Sequence, residues 1–128
     1  MLALVLLIRN LRHEGDVMGK RRVWPLVCED SKSDDVLKFI HPLKQRSVAE
    51  LISHTKEMFP DTKAVIVFGS AVTDKCHVGS DVDIVVVDSP RFFPPMCDVF
   101  DVVDVTGMKS TSPLVGQILK EGVVVYAK

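Results

Sequence analysis

Two short apolar runs, residues 64–68 and 84–87, constrain this chain more than any other feature. Both read as strands, and their punctuation is unusual. Gly69-Ser70 closes the first, and Asp81-Val82-Asp83 opens the second after a ten-residue spacer. A glycine-serine turn leaving one strand and two carboxylates on the next is a layout for holding phosphates and metal ions together. Beyond Asp83 both faces of the second strand, residues 82–87, are apolar, which predicts a central, buried position.

The remaining elements build around that pair. Val48, Leu51, Ile52 and Met58 lie near one face of a helix predicted over residues 47–58. Ser47 with Glu50 forms a capping-box pattern at its start, and Pro60-Asp61 breaks it. The first strand is predicted over 63–68 and a third over 99–105. Ser112 looks like an N-cap with Pro113 at the first helical position, and that helix runs to about Glu121 with Gly122 as its stop. A final strand covers 123–126. The order helix, strand, strand, strand, helix, strand implies an α/β (α+β) fold, a mixed β-sheet flanked by helices.

At 128 residues the chain is one compact domain overall. Residues 46–128 carry the firm elements, and 1–45 form an N-terminal extension. There, residues 2–11 fit a short helix or a buried strand equally. Residues 13–22 read as a loop, 23–28 as at best an edge strand because of Pro25, and Asp34-Asp35 as the start of a short helix ended by His41-Pro42. The first eight residues are apolar but too short for a bilayer span, which needs ~20. They lack a basic start and a cleavage site, so they read as a core or interface element, or as the product of a mis-called translation start.

A net charge of −1 gives no electrostatic case for broad nucleic-acid or membrane binding, and Lys20-Arg21-Arg22 reads as a solvated turn. Three widely spaced cysteines, Cys28, Cys76 and Cys97, fit a reduced, cytoplasmic protein. Cys76-His77 has no second pair at metal spacing and reads as two loop residues. Phe92-Phe93 with Pro94-Pro95 either adds to a homodimer surface, together with the apolar N-terminus, or packs on its own domain.

Strand geometry sharpens the acidic pattern. Residues two apart point the same way, ~6.5–7 Å apart, so Asp81 and Asp83 share a face. Like charges held close need a cation between them, and Mg²⁺, a hard oxygen-seeking ion, suits that place. The third strand offers Asp101 on one face and Asp98 with Asp104 on the other. Asp101 is preferred, because valines follow it on its own face as they follow Asp83; Asp104 is the fallback if a bulge shifts the register.

The stretch V-I-V-F-G-S-A-V-T-D-K-C-H-V-G-S-D-V-D-I-V-V-V resembles the minimal nucleotidyltransferase (MNT) family of the DNA polymerase β superfamily, antitoxin type. The later F-D-V-V-D-V and I-L-K-E-G-V-V-V-Y are similar to that family too, so the resemblance covers roughly residues 46–128. It implies the polymerase β palm-like fold and transfer of a nucleoside monophosphate from a nucleoside triphosphate to an acceptor. On this chain it implies that Gly69, Ser70 and Ser80 contact the nucleotide. It also implies that Asp81, Asp83 and Asp101 hold two Mg²⁺ ions, with Asp101 nearer the nucleophile.

Many relatives carry an arginine and a glycine soon after the Gly-Ser. Here the stretch is Ala71-Val72-Thr73-Asp74, which leaves Lys75 and His77 as nearby cations, each also readable as an ordinary loop residue. The resemblance and the size together imply AMP transfer from ATP onto a HEPN-domain partner protein, as the antitoxin of a toxin–antitoxin pair. Two alternatives stay open: a small-molecule nucleotidyltransferase completed by a second chain, and a nucleotide-binding or interaction module without turnover.

Overall fold

The computed structural model describes residues 22–28, 34–103 and 111–128. In chain order the elements are helix α1 (Asp34–Leu37), a 3-10 turn (Pro42–Lys44), helix α2 (Gln45–Met58) and strand β1 (Ala64–Phe68). A 3-10 turn (Gly69–Val72), strands β2 (Val82–Val87) and β3 (Phe100–Val103), helix α3 (Pro113–Glu121) and strand β4 (Val123–Ala127) follow. The strands make one sheet in the order β3-β2-β1-β4. β1 is antiparallel to both β2 and β4, and β2 is parallel to β3, so the sheet is mixed as expected.

Apolar alternation splits the core into two layers, one on each face of the sheet. Val65, Val67, Val82, Ile84, Val123 and Val125 face α1 and α2, where they meet Leu37, Ile40, Val48, Leu51 and Ile52. Ala64, Ile66, Phe68, Val85, Val87 and Val124 face α3 and pack on Val115 and Ile118. A chain with apolar residues on both faces of β1 and β2 must cover both, and the two helices do so. Each large side chain taken fully out of water contributes about 1.5–3 kcal/mol, so the inner strands anchor the sheet.

Several local expectations are corrected. Helix α2 starts at Gln45, its N-cap is Lys44, and no side chain caps it. Ser47 is therefore inside the helix, and its hydroxyl donates to Asp98 instead. Ser112 is the N-cap of α3 and Pro113 opens the helix, as expected, but the Ser112 side chain makes no capping hydrogen bond. Gly122 does follow α3, but with φ −62° rather than the left-handed turn of a glycine stop. Its lack of a side chain matters for space: a Cβ there would stand 2.8 Å from Ile66 Cγ2 and 2.5 Å from Ile118 O.

Residues 23–28 form no strand. The buried Gln45 side chain takes their backbone groups: Oε1 accepts from the N–H of Val27 at 2.8 Å, and Nε2 donates to Pro25 O at 2.8 Å. With the Cys28 N–H on the same Oε1 and the Trp24 N–H on Lys38 O, these groups are satisfied without a ladder. Trp24 is buried beneath Arg22, whose guanidinium lies 5.1 Å from the indole centre. α1 is shorter than expected, and Pro42 opens a 3-10 turn there. Phe92 and Phe93 pack with Phe59 and His54 of their own domain. The readings of residues 2–11 and of Asp104 lie outside the described residues. Among the described residues no helix is long and apolar enough to cross a membrane.

Candidate active site

The Gly-Ser turn and the two acid-bearing strands converge on the α3 face of the sheet. β1 ends because Gly69 turns the chain with φ +76°, a conformation that favours glycine. A second constraint also selects glycine there, since a Cβ at this position would collide with the Asp83 carboxylate. The end of β1 pairs Phe68 with Asp83, so the turn lies directly against that acid.

Asp83 is the centre of the group. It sits opposite Phe68 on one side and opposite Asp101 on the other, across the parallel pair. Alternation therefore places Asp83 and Asp101 on one face, with Val85, Val87 and Val103 behind them in the α3 layer. Asp81 precedes the strand and is near enough for its charge to act on Asp83. Burial, followed by the charges of Asp101 and Asp81, a hydrogen bond with Asp101 and the charge of Glu121, pushes the Asp83 carboxyl up to about 6.

Glu121 is a functional candidate that the strand pattern could not supply. It ends α3, 52 residues after Gly69, and its Oε1 accepts the Gly69 N–H at 3.0 Å. Gln117, one helical turn earlier, donates to the same oxygen at 2.7 Å. A backbone donor of the turn that the resemblance assigns to triphosphate contact is thus engaged by a carboxylate of this chain. Only I-L-K-E-G, just before the last strand, hinted that this residue mattered.

Ser70 follows Gly69 in the 3-10 turn, where its carbonyl accepts from the Thr73 N–H at 3.0 Å. Ser80 closes the loop before Asp81. Its N–H donates to His77 O at 2.9 Å, and its hydroxyl accepts from the His77 N–H at 3.0 Å. Both serines thus shape the two ends of the loop between the turn and the acids. Lys75 and His77 are exposed along that loop, and the His77 ring accepts from the Gly79 N–H. Cys76 is buried there, and burial pushes its thiol up.

Asp98 belongs to the opposite face. Lys44 Nζ lies 2.9 Å from its Oδ2, and the Ser47 hydroxyl donates to the same oxygen at 2.7 Å. Burial pushes this carboxyl up, but the hydrogen bonds from Lys44, Ser47 and the Val99 N–H outweigh it and hold it below the usual value. A cleft of about 370 Å³ lined by Val86, Asp88, Val102 and Val103 lies at the far end of β2 and β3, away from Asp81 and Asp83.

The donor set fits a hard divalent cation. It is all oxygen, and the repulsion from Asp101 and Asp81 that adds to burial in lifting Asp83 is what such an ion relieves. Among the described residues, however, no three His, Cys, Asp or Glu side chains are drawn close enough, as they stand, to hold one ion.

Residues 48–96 match the family model of a nucleotidyltransferase domain. This stretch is similar to nucleotidyltransferase domains. It contains most of α2, β1, the Gly-Ser turn, the loop and β2, hence Gly69, Ser70, Ser80, Asp81 and Asp83. Asp101 and Glu121 lie beyond the match and join the nucleotidyltransferase-like stretch through the sheet and α3. No curated protein and no solved structure matches the chain significantly.

Proposed function

We propose that the chain is a Mg²⁺-dependent nucleotidyltransferase that moves AMP from ATP onto an acceptor, a HEPN-domain partner protein being the acceptor implied by the sequence resemblance. One observation carries the reading. Asp83 stands opposite Asp101 across parallel strands while pressed against Gly69, so acids and phosphate-binding turn meet on one face. The match of residues 48–96 to a nucleotidyltransferase domain supports the same chemistry.

Asp81, Asp83 and Asp101 would hold the Mg²⁺, which when bound neutralises phosphate charge and lowers the acceptor's pKa. The chain's own part is placement. Gly69 lets the backbone approach the phosphates, and Ser70 offers a hydroxyl and an N–H. The acceptor oxygen forms a bond to the α-phosphorus while the bond to the bridging oxygen of the β-phosphate breaks, and pyrophosphate leaves. Asp101, which is exposed, would take the acceptor's proton.

The test is co-expression with a neighbouring HEPN protein, then incubation with Mg²⁺ and ATP labelled on the α- or the γ-phosphate. Label from the α position should appear on the partner, and γ label should appear only in pyrophosphate. An unlabelled, unmodified partner under conditions where ATP binds would remove that acceptor. Absence of both ATP binding and pyrophosphate release would remove the enzyme reading.

A further inference from the structure

The Gly69 N–H, in the turn that lies against Asp83, is held by Glu121 Oε1 at 3.0 Å. Gln117 Nε2 steadies that oxygen at 2.7 Å. Glu121 is the last residue of α3, and its neighbour Gly122 is pressed against Ile66 so closely that no side chain fits. The backbone of Glu121 is therefore fixed by the α3 core, and only its side chain is free to rearrange. A fourth carboxylate beside Asp81, Asp83 and Asp101 is electrostatically unfavourable. The two hydrogen bonds are what hold it, and a phosphate oxygen would want the first of them.

Resting on the nucleotide-site reading above, we infer that Glu121 is a resident competitor: its carboxylate occupies the Gly69 donor that a nucleotide phosphate takes, and must swing away when nucleotide binds. Glu121 is then a specificity-determining residue. Weakly held anions fail to displace it, and a ligand with several phosphates and its cation succeeds. A purely structural role, bracing α3 on the turn, gives the opposite expectation, because loss of the brace would loosen the site.

Calorimetry with MgATP and with inorganic tripolyphosphate tests this on the full chain. Wild type, Glu121→Ala, Glu121→Gln and Gln117→Ala are compared, with the Gly69 amide resonance followed by NMR. Glu121→Ala should bind MgATP about tenfold tighter. Glu121→Gln, which keeps the shape and so guards against misfolding, should bind about threefold tighter. Gln117→Ala frees the carboxylate without changing the charge and should also tighten binding, about twofold. The Gly69 amide should shift in all three variants before any ligand is added.

If wild type binds MgATP and the Glu121 variants bind it equally or more weakly, the competitor role is overturned and the nucleotide site stands. If Glu121→Ala tightens binding while Gln117→Ala does not and the Gly69 amide stays put, the effect is charge alone and the role is likewise overturned. If no variant, nor wild type, binds MgATP or tripolyphosphate, both readings fall.

Discussion

Asp98 and Asp101 are three residues apart, yet they live under opposite electrostatic conditions. Asp98, on the α2 face, has Lys44 and Ser47 on one oxygen, and its carboxyl is held below the usual value. Asp101, on the α3 face, stands opposite Asp83, whose carboxyl is pushed up to about 6 by burial and then by Asp101, Asp81 and Glu121. The first acid is neutralised within the chain. The second group is a set of acids stacked together, a cost to the fold that a bound cation would offset. A paired acid ties the chain just before β3 to α2, whereas the α3-face acids make no ion pair among the described residues.

If that contrast is right, substitutions on the two faces should separate activity from stability. The largest effect falls on the α3 face: Asp83→Asn with Asp101→Asn should lower nucleotidyl transfer about a thousandfold in a pyrophosphate-release assay, with the fold intact by circular dichroism. Retained activity would put the chemistry elsewhere. On the α2 face, Lys44→Ala removes a side chain that is 3% exposed and leaves the Asp98 charge, 19% exposed, without its cation, and should cost about 3 kcal/mol in urea unfolding. A cost near zero would show that the pair is solvated after all.

Gly69→Ala crosses the two effects. The φ of +76° and the collision with Asp83 should cost about 2 kcal/mol, again by urea unfolding, and nucleotide binding should fall with it. Ser47→Ala should cost about 1 kcal/mol, because one hydrogen bond to Asp98 is lost while Lys44 remains.

The finest distinction is in pH. In the folded chain Asp83 keeps its proton up to about 6, whereas the unfolded chain releases it near 3.8. Folding stability from this group therefore falls as pH rises between those values and stays reduced above them. Asp83→Asn should raise the thermal midpoint by a few degrees at pH 7 and leave it unchanged near pH 4. Asp98, whose carboxyl is held low, has the opposite sign: its contribution is present at neutral pH and is lost as acid protonates it, so Asp98→Asn should destabilise at pH 7. Melting curves with the same pH slope for both variants would erase the contrast.

Much of this arrangement was legible in residue order. A period of two put Asp81 and Asp83 on one face without knowledge of distant contacts, and the valines after Asp101 favoured it over the other acids of its strand, which the pairing of Asp83 with Asp101 bears out in position. The mixed sheet followed from the order of the elements, and β2 read as central from its valines. What failed was long-range. Ser47 looked like a cap with Glu50, but its hydroxyl is drawn to Asp98, 51 residues away. Residues 23–28 looked like a weak strand, but Gln45 of α2 takes the N–H groups of Val27 and Cys28. Glu121 sits in a helix end whose local pattern gives no sign of Gly69, because the contact exists only once α3 has packed on the sheet.

The most direct measurement is paramagnetic broadening of the amide resonances on adding Mn²⁺, in place of Mg²⁺, together with ATP. Resonances of Gly69, Ser70, Asp83 and Asp101 should broaden at the lowest additions, with those of Lys44, Ser47 and Asp98 spared. Broadening centred on Asp98, or no broadening anywhere in the chain, would contradict the assignment of the α3-face acids as the metal-nucleotide site.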